Sequence, residues 1–300
     1  MYGGSLEWWV DAALIGQPAW AISYAPPQRL PADAPRLSPD HPLARCQRTA
    51  PGRDAASKPR RRALSYSWGM CGRYALYGPI SRGRVVPSDL ELSWVGDLIE
   101  SVNSRKPRYN FAPTQESPIV GLNADGDPHI AELRWGLVPF WAKDTKIGYK
   151  AINARAETVH EKPMFREAFK RRRCLVPANG YFEWKGDKPP KQPYFIHSPH
   201  VDLMLFAGLW ETWRPEKDAE PLHTYTIVTG PPGIVSGDIH DRQPVILPPA
   251  DWSTWLAGSV DDARALLDAA KEPPLEYYPV SKAVGTPKND SEDLVEPVEA

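Results

Sequence analysis

The feature that most constrains this chain is a change of character at Cys71. From there on, short runs of strand-forming residues follow one another closely: RYALYG, SPIVGL, HIAELRWGLVPFW, RCLVPANGYFEWKG, PYFIHS, LMLFAGLWETW, HTYTIVTG and PVILP, divided by Gly, Pro, Asn and Asp. Helical periodicity is scarcer, confined to Ser88 to Ser104, Ala156 to Arg173, Val260 to Ala270 and a shorter stretch from Ala250 to Leu256. Strands that do not alternate regularly with helices argue against a doubly wound parallel sheet. The pattern predicts one β-rich α+β domain over residues 70–297.

Ahead of Cys71 the sequence is of another kind. From Pro26 to Arg62 it is rich in Pro, Ala and Arg and shows neither helical nor strand period. A segment of that composition buries too little apolar surface to offset the entropy of ordering. Residues 1–69 are therefore expected to be a disordered extension, either a removable leader or the product of a start codon placed too far upstream. Met70 is the first methionine after Met1.

Composition removes several classes of function. With 36 basic and 37 acidic residues the net charge is −1, so any site for a polyanion has to be local. Three cysteines, Cys46, Cys71 and Cys174, are too few and too scattered for a disulfide framework or a structural metal site, which fits a reducing, cytoplasmic setting. No stretch reaches the roughly 18 apolar residues of a membrane span. Glu7 and Asp11 stand where a signal peptide would be basic. Neither a G-x-x-x-x-G-K-[ST] loop nor a G-x-G-x-x-G turn is present, so no nucleotide cofactor is expected, and no metal.

Four places combine reactive groups with turn-forming neighbours: Met70-Cys71-Gly72-Arg73, INARAET (Ile152 to Thr158), NGYFEW (Asn179 to Trp184) and DIHDRQP (Asp238 to Pro244). Each alone has an ordinary explanation: an inert thiol, a turn asparagine, a solvated strand glutamate, a loop histidine. Together Cys71, Asn153, Glu183 and His240 supply a nucleophile, an amide, a carboxylic acid and an imidazole, a sufficient set for nucleophilic catalysis with acid–base assistance. Spacing alone does not show that they meet.

The position of Cys71 adds something more specific. If the chain starts at Met70 and loses it, Cys71 becomes a 1,2-aminothiol. Its α-amine, with a pKa of about 7.7–8.0, is substantially neutral at physiological pH, unlike a lysine. It can attack an aldehyde to give an imine, and the thiol can then close a five-membered thiazolidine. Arg73, Arg155, Arg242 and the run Lys170 to Arg173 could hold phosphates, while Trp135, Trp141, Phe182 and Trp184 could stack bases. Tryptophans in β-rich domains are usually core, and Lys170 to Arg173 also suits the cationic end of a helix.

Taken in order, MCGRYAL, RYNFAPTQ, RWGLVPFWAKD, INARAETV, NGYFEWK, FAGLWETW, TIVTGPP, IHDRQPVIL and PVSKAVGTPKND resemble the SOS-response-associated peptidase (SRAP) family of abasic-site processing proteins. The resemblance runs from Met70 to about Asp290. It implies a curved, barrel-like, mainly antiparallel sheet core with a few flanking helices. It also implies a protein, a monomer without cofactor, that links through an N-terminal cysteine to abasic sites in single-stranded DNA during the DNA damage response, cytoplasmic and associated with the nucleoid. Cys71 would then be the nucleophile, Asn153 its orienting amide, Glu183 the general acid/base and His240 the group assisting sugar ring opening. Arg73, Arg155 and Arg242 would contact phosphates, with Trp141 and Trp184 against bases. Gln243 stands where the family often has Met. Two other readings remain at this point: a cysteine-type peptidase that removes the segment before Cys71, and a non-catalytic single-strand binding module.

Overall fold

The computed structural model describes residues 72–299. The expectations for residues 1–69, and the position of Cys71, lie outside the described residues. Strands dominate, in two sheets. β3 (Glu116–Leu122), β4 (Pro128–Trp135), β6 (Arg173–Ala178), β9 (Met204–Trp213) and β10 (Leu222–Gly230) pair in the circular order β10-β4-β3-β6-β9-β10. The ring closes because β10 bonds antiparallel to β9 along one edge and parallel to β4 along the other. Closure leaves these five strands without a free edge between them. Four of the five pairings in the ring are antiparallel, as the barrel-like expectation required.

The second sheet has the order β13-β8-β7-β1-β2 and comprises β1 (Tyr74–Leu76), β2 (Arg108–Phe111), β7 (Gly180–Lys185), β8 (Gln192–His197) and β13 (Glu276–Pro279). Successive side chains of a strand face opposite sides, and here both sides are apolar. Tyr74, Leu76, Tyr181 and Ile196 join the main core with the barrel residues. Ala75, Phe182 and Phe195 face the other way and are covered by Val280, Val284, Leu294 and Val295 of the C-terminal segment. That segment is therefore a wall of the fold.

Helices are short, and each has a local reason. α1 (Trp94–Ser104) buries Trp94, Val95, Leu98 and Val102, one face of a 3.6-residue period. It begins six residues later than the sequence pattern suggests, because Pro87 starts a turn in which Leu90 N–H donates to Pro87 O. The helix expected from Ala156 is confined to α2 (Arg166–Arg171). Pro163 disfavours helix at the residue before it, and residues 158–162 close into turns on Thr158 O instead. α4 (Trp252–Ala257) and α5 (Val260–Ala269) lie near their expected places, α5 opened by a Ser259–Asp262 capping box. A four-residue α3 (Ile234–Gly237) has no sequence signal of this kind.

RCLVPANGYFEWKG reads as one strand but is two in different sheets. The break is Asn179. Its backbone N–H donates to Ala75 O, its Oδ1 accepts from Tyr77 N and its Nδ2 donates to Asp202 O. Three bonds to two neighbouring segments turn the chain out of the barrel and into the second sheet, which is how Glu183 comes to stand beside β1.

The loop after β4 is fixed by a backbone crossing. Gly136 adopts φ +115°, and a Cβ there would come within 2.8 Å of Gly148 O. A side chain on Gly148 would in turn meet Gly136 O at 2.6 Å. Only glycine fits at either position, so the segments on either side of residues 140–147 are held against each other.

No helix among the described residues is long and apolar enough to cross a membrane.

Candidate functional site

The C-terminal end of β10 organises two of the four reactive segments. Beyond the reach of β4, the strand β5 (Asn153–Arg155) runs parallel to β10, pairing Asn153 with Ile227 and Arg155 with Thr229. β11 (Gln243–Pro244) pairs antiparallel with Thr229 and Gly230 of the same end. INARAET and DIHDRQP, far apart in sequence, thus flank one strand end.

Their side chains interlock. Arg242 forms a bidentate pair with Glu157 through Nη1 and Nη2, the second at 2.9 Å, and Nη2 also donates to Thr229 O at 2.6 Å. The Arg242 backbone N–H donates to His240 Nδ1 at 3.2 Å, and Asp241 Oδ1 lies 3.0 Å from the same nitrogen. The first contact uses a bare Nδ1 and the second a protonated one, so the tautomer of the ring follows from which of the two partners it keeps. On the far side of the loop, Ser236 Oγ donates to Gln243 Oε1, while Glu272 accepts the backbone N–H groups of Val235 and Ser236. Gln243 is thereby a buried strut, a role its sequence context did not suggest.

Glu183 belongs to the second sheet and is 4% exposed. It stands directly opposite Tyr194 in the β7–β8 register, on the face of β7 that Tyr181 turns toward the barrel. Tyr194 meets the Tyr277 ring edge-on at 5.5 Å, and Tyr277 Oη donates to Asp238 Oδ2 at 3.3 Å. Asp238 is two residues before His240. A chain of ring contact and hydrogen bond therefore leads from the strand pair bearing Glu183 to the loop bearing His240.

A third link fixes Asn153. Tyr74 Oη and Tyr225 Oη share a hydrogen bond of 2.6 Å inside the core, where burial pushes both hydroxyls to higher pKa and keeps them neutral. Trp135 packs on Tyr74 at 5.2 Å and donates from Nε1 to Ile152 O, the residue before Asn153. β1 pairs Tyr74 with Tyr181 and Ala75 with Gly180, a register that sets Gly72 opposite Glu183. Cys71 itself lies outside the described residues. The residue that follows it comes into the sheet beside the buried carboxyl, and Tyr74 ties the same strand to the segment of Asn153.

The expected DNA contacts divide. Arg155 and Trp141 are exposed, Trp141 at 49%. Trp184 is half-buried against the Phe182 cluster. Arg73, expected at a phosphate, is 8% exposed, and its guanidinium donates to Asn110 Oδ1, Val284 O and Gly285 O. Burial lowers its pKa to about 10, which still leaves it charged at neutral pH. Arg242 is engaged by Glu157 and reaches a phosphate only by exchanging that partner. Arg173, in the basic run, is likewise internal, donating to Phe169 O, Trp255 O and Gly258 O. Among the described residues no group of three or more His, Cys, Asp or Glu is placed to hold a metal ion.

The Arg242 pair has a pH signature. Its hydrogen bond holds the Glu157 carboxyl below the ordinary value of 4.5. The pair is present above that value and is lost as pH falls through the lower folded value. A carbon-detected NMR titration is expected to place the Glu157 midpoint below 4.5, with Arg242→Met returning it toward 4.5. Coincident midpoints in the two proteins would show that the pair does not persist in solution.

Comparison with known proteins gives one consistent answer. The family model described as SOS response associated peptidase (SRAP) matches residues 70–287. The abasic site processing protein YoqW of Bacillus subtilis is 39% identical over 239 residues, covering 76% of this chain and 99% of that protein. The abasic site processing protein HMCES of Xenopus tropicalis is 30% identical, over 63% of this chain and 66% of its own length. A crystal structure of a phage-related protein from Bordetella bronchiseptica superposes with a TM-score of 0.53 at 31% identity, over 71% of this chain and 95% of its own. A Bacteroides thetaiotaomicron protein shares the fold with a TM-score of 0.61 at 24% identity, over 76% of this chain and all of its own.

Proposed function

Because the chain belongs to the SRAP family, we propose that it processes abasic sites in DNA as part of the DNA damage response, and that it does so by linking covalently to them through Cys71. The observation that carries the reading is convergence: the strand that begins shortly after Gly72 is tied by register to Glu183 and by Tyr74 and Trp135 to the segment of Asn153.

The chemistry follows from the groups. The abasic deoxyribose opens to an aldehyde. The neutral α-amine of Cys71 adds to the aldehyde carbon, and the oxygen leaves as water once protonated, giving an imine. The Cys71 sulfur then bonds to the same carbon, its proton passes to the nitrogen, and a thiazolidine results with no oxidant or reductant consumed. Glu183 supplies and recovers the protons at the sugar oxygen and at the departing hydroxyl. His240 assists ring opening, and the Asn153 amide orients thiol and sugar. Arg155, Trp141 and Trp184 hold the flanking single strand.

An amide nitrogen cannot form the imine. The reading therefore requires Cys71 to be the first residue of the active chain, whether translation starts at Met70 or the preceding segment is removed. The test is a denaturing gel of a polypeptide starting at Met70 with a single-stranded oligonucleotide carrying one abasic site. A heat-stable shifted band is expected with the abasic oligonucleotide and none with the intact one. Equal behaviour of the two would reduce the protein to a plain single-strand binder.

A further inference from the structure

The loop that carries His240 is held by a side chain outside all four reactive segments. α3 is preceded by Gly233, and the first N–H groups of a helix have no partner within it. A residue in that position ordinarily caps them with a side-chain oxygen, which glycine lacks. Glu272, a half-buried residue beyond the end of α5, supplies the oxygens instead. Its Oε2 accepts from Val235 N and its Oε1 from Ser236 N, each at 2.8 Å. A carboxylate on two successive N–H groups fixes both the place and the orientation of the turn, and its charge strengthens each bond.

Ser236 passes that grip on. It is fully buried. Its Oγ accepts from Gly233 N at 3.0 Å and donates to Gln243 Oε1 at 2.8 Å. Its carbonyl accepts the N–H of Ile239 at 3.0 Å and that of His240 at 2.9 Å. The residue that Glu272 holds by its N–H therefore holds the backbone of His240. Tyr277, on the segment that follows Glu272, adds a second hold on the same loop at Asp238. The fit is close, since a Cβ on Gly233 would come within 2.3 Å of the Glu272 side chain.

We propose that Glu272 is a positioning residue for His240: its carboxylate sets where the imidazole stands against the abasic sugar, without touching substrate. This rests on the abasic-site reading above and adds a residue that none of the four reactive segments contains.

The experiment has two arms. In the full chain, amide hydrogen exchange is followed at Val235, Ser236 and His240. Glu272→Ala is expected to speed exchange at all three by about tenfold or more, because the loop opens locally without its cap. Gly233→Ala, which keeps the carboxylate in the chain but displaces it, is expected to act in the same direction. Glu272→Gln keeps the shape and one acceptor oxygen, so it carries the same test with the least disturbance and is expected to lie between. The second arm measures single-turnover adduct formation at saturating abasic oligonucleotide, in the form of the chain that cross-links. Glu272→Ala is expected to slow it about tenfold or more, the effect of a small misplacement of a group at the reacting centre, with the half-saturating DNA concentration unchanged. In a His240→Ala background the same change is expected to alter the rate by less than about twofold, because two changes that act through one group do not add. An equal slowing in that background would show a general structural effect and overturn the proposal. Exchange or adduct rates within about twofold of wild type for Glu272→Ala would overturn it as well. A wild type that forms no adduct with abasic DNA would instead remove the reading on which the proposal rests, while the exchange arm still shows whether Glu272 holds the loop.

Discussion

Glu183→Gln is expected to slow formation of the covalent adduct by about 10²–10⁴-fold while leaving the protein folded, the range for removing a positioned general acid/base. The substitution keeps shape and hydrogen-bonding reach but can neither give up nor take a proton at neutral pH. Glu183 suits the role because of where β7 holds it: 4% exposed, opposite Tyr194, with Gly72 coming in beside it. A carboxyl in that position is fixed before substrate arrives. Single-turnover adduct formation checks the effect, with the melting temperature as the control for folding. A rate within threefold of wild type, in a protein of unchanged stability, would take Glu183 out of the mechanism.

The second large effect concerns the fold. Arg73→Ala is expected to cost about 3–5 kcal/mol of stability, because removing the buried guanidinium leaves Asn110 Oδ1 and Gly285 O without their donor and takes one of two donors from Val284 O. Arg73 and Asn110 act as one clasp: Asn110 accepts from Arg73 and donates through Nδ2 to Val284 O, Thr286 O and Asn289 O. Together they pin the segment that covers Phe182 and Phe195. At about 2–4 °C per kcal/mol for a domain of this size, the melting temperature should fall by roughly 6–20 °C. Arg73→Lys keeps the charge but loses the planar fork, so a partial loss is expected. A fall of under about 2 °C for Arg73→Ala would mean that the C-terminal segment is held by its apolar contacts alone.

How much of this was legible in the sequence depends on the distance over which the signal acts. Alternating runs and their punctuation are local, and they identified β3, β8, β9 and β10 as well as the β-rich class. Asn179 shows where local reading stops. Nothing near it says that its three hydrogen bonds will go to Ala75, Tyr77 and Asp202, so one continuous apolar run conceals a change of sheet. β2, β5 and β13 were missed for a related reason: they are three to four residues long, and β5 and β13 exist because a longer neighbour offers an edge.

At the site, residue type spoke to chemistry but not to exposure. Arg73, Arg173 and Arg242 looked equivalent to Arg155 as phosphate ligands. The fold spends the first two on buried carbonyls and the third on Glu157, and leaves Arg155 at the surface. The exposed Phe140 and Tyr149 went the other way, hidden in sequence among aromatics that do belong to the core. Glycines at 136 and 148 were the available clue, since two in one loop foretell a close backbone approach.

The central claim is that the reactive group is an amine as well as a thiol, and it can be tested by moving that amine. Three polypeptides would be incubated with the abasic oligonucleotide and run on a denaturing gel: one beginning at Cys71, its Cys71→Ser variant, and one carrying a single extra glycine ahead of Cys71. The account predicts a heat-stable adduct for the first and none for the third, whose thiol is intact but whose residue 71 nitrogen is an amide. The serine variant is expected to give at most an imine that hydrolyses on heating. An adduct of equal yield and stability from the glycine-extended chain would contradict thiazolidine formation at Cys71.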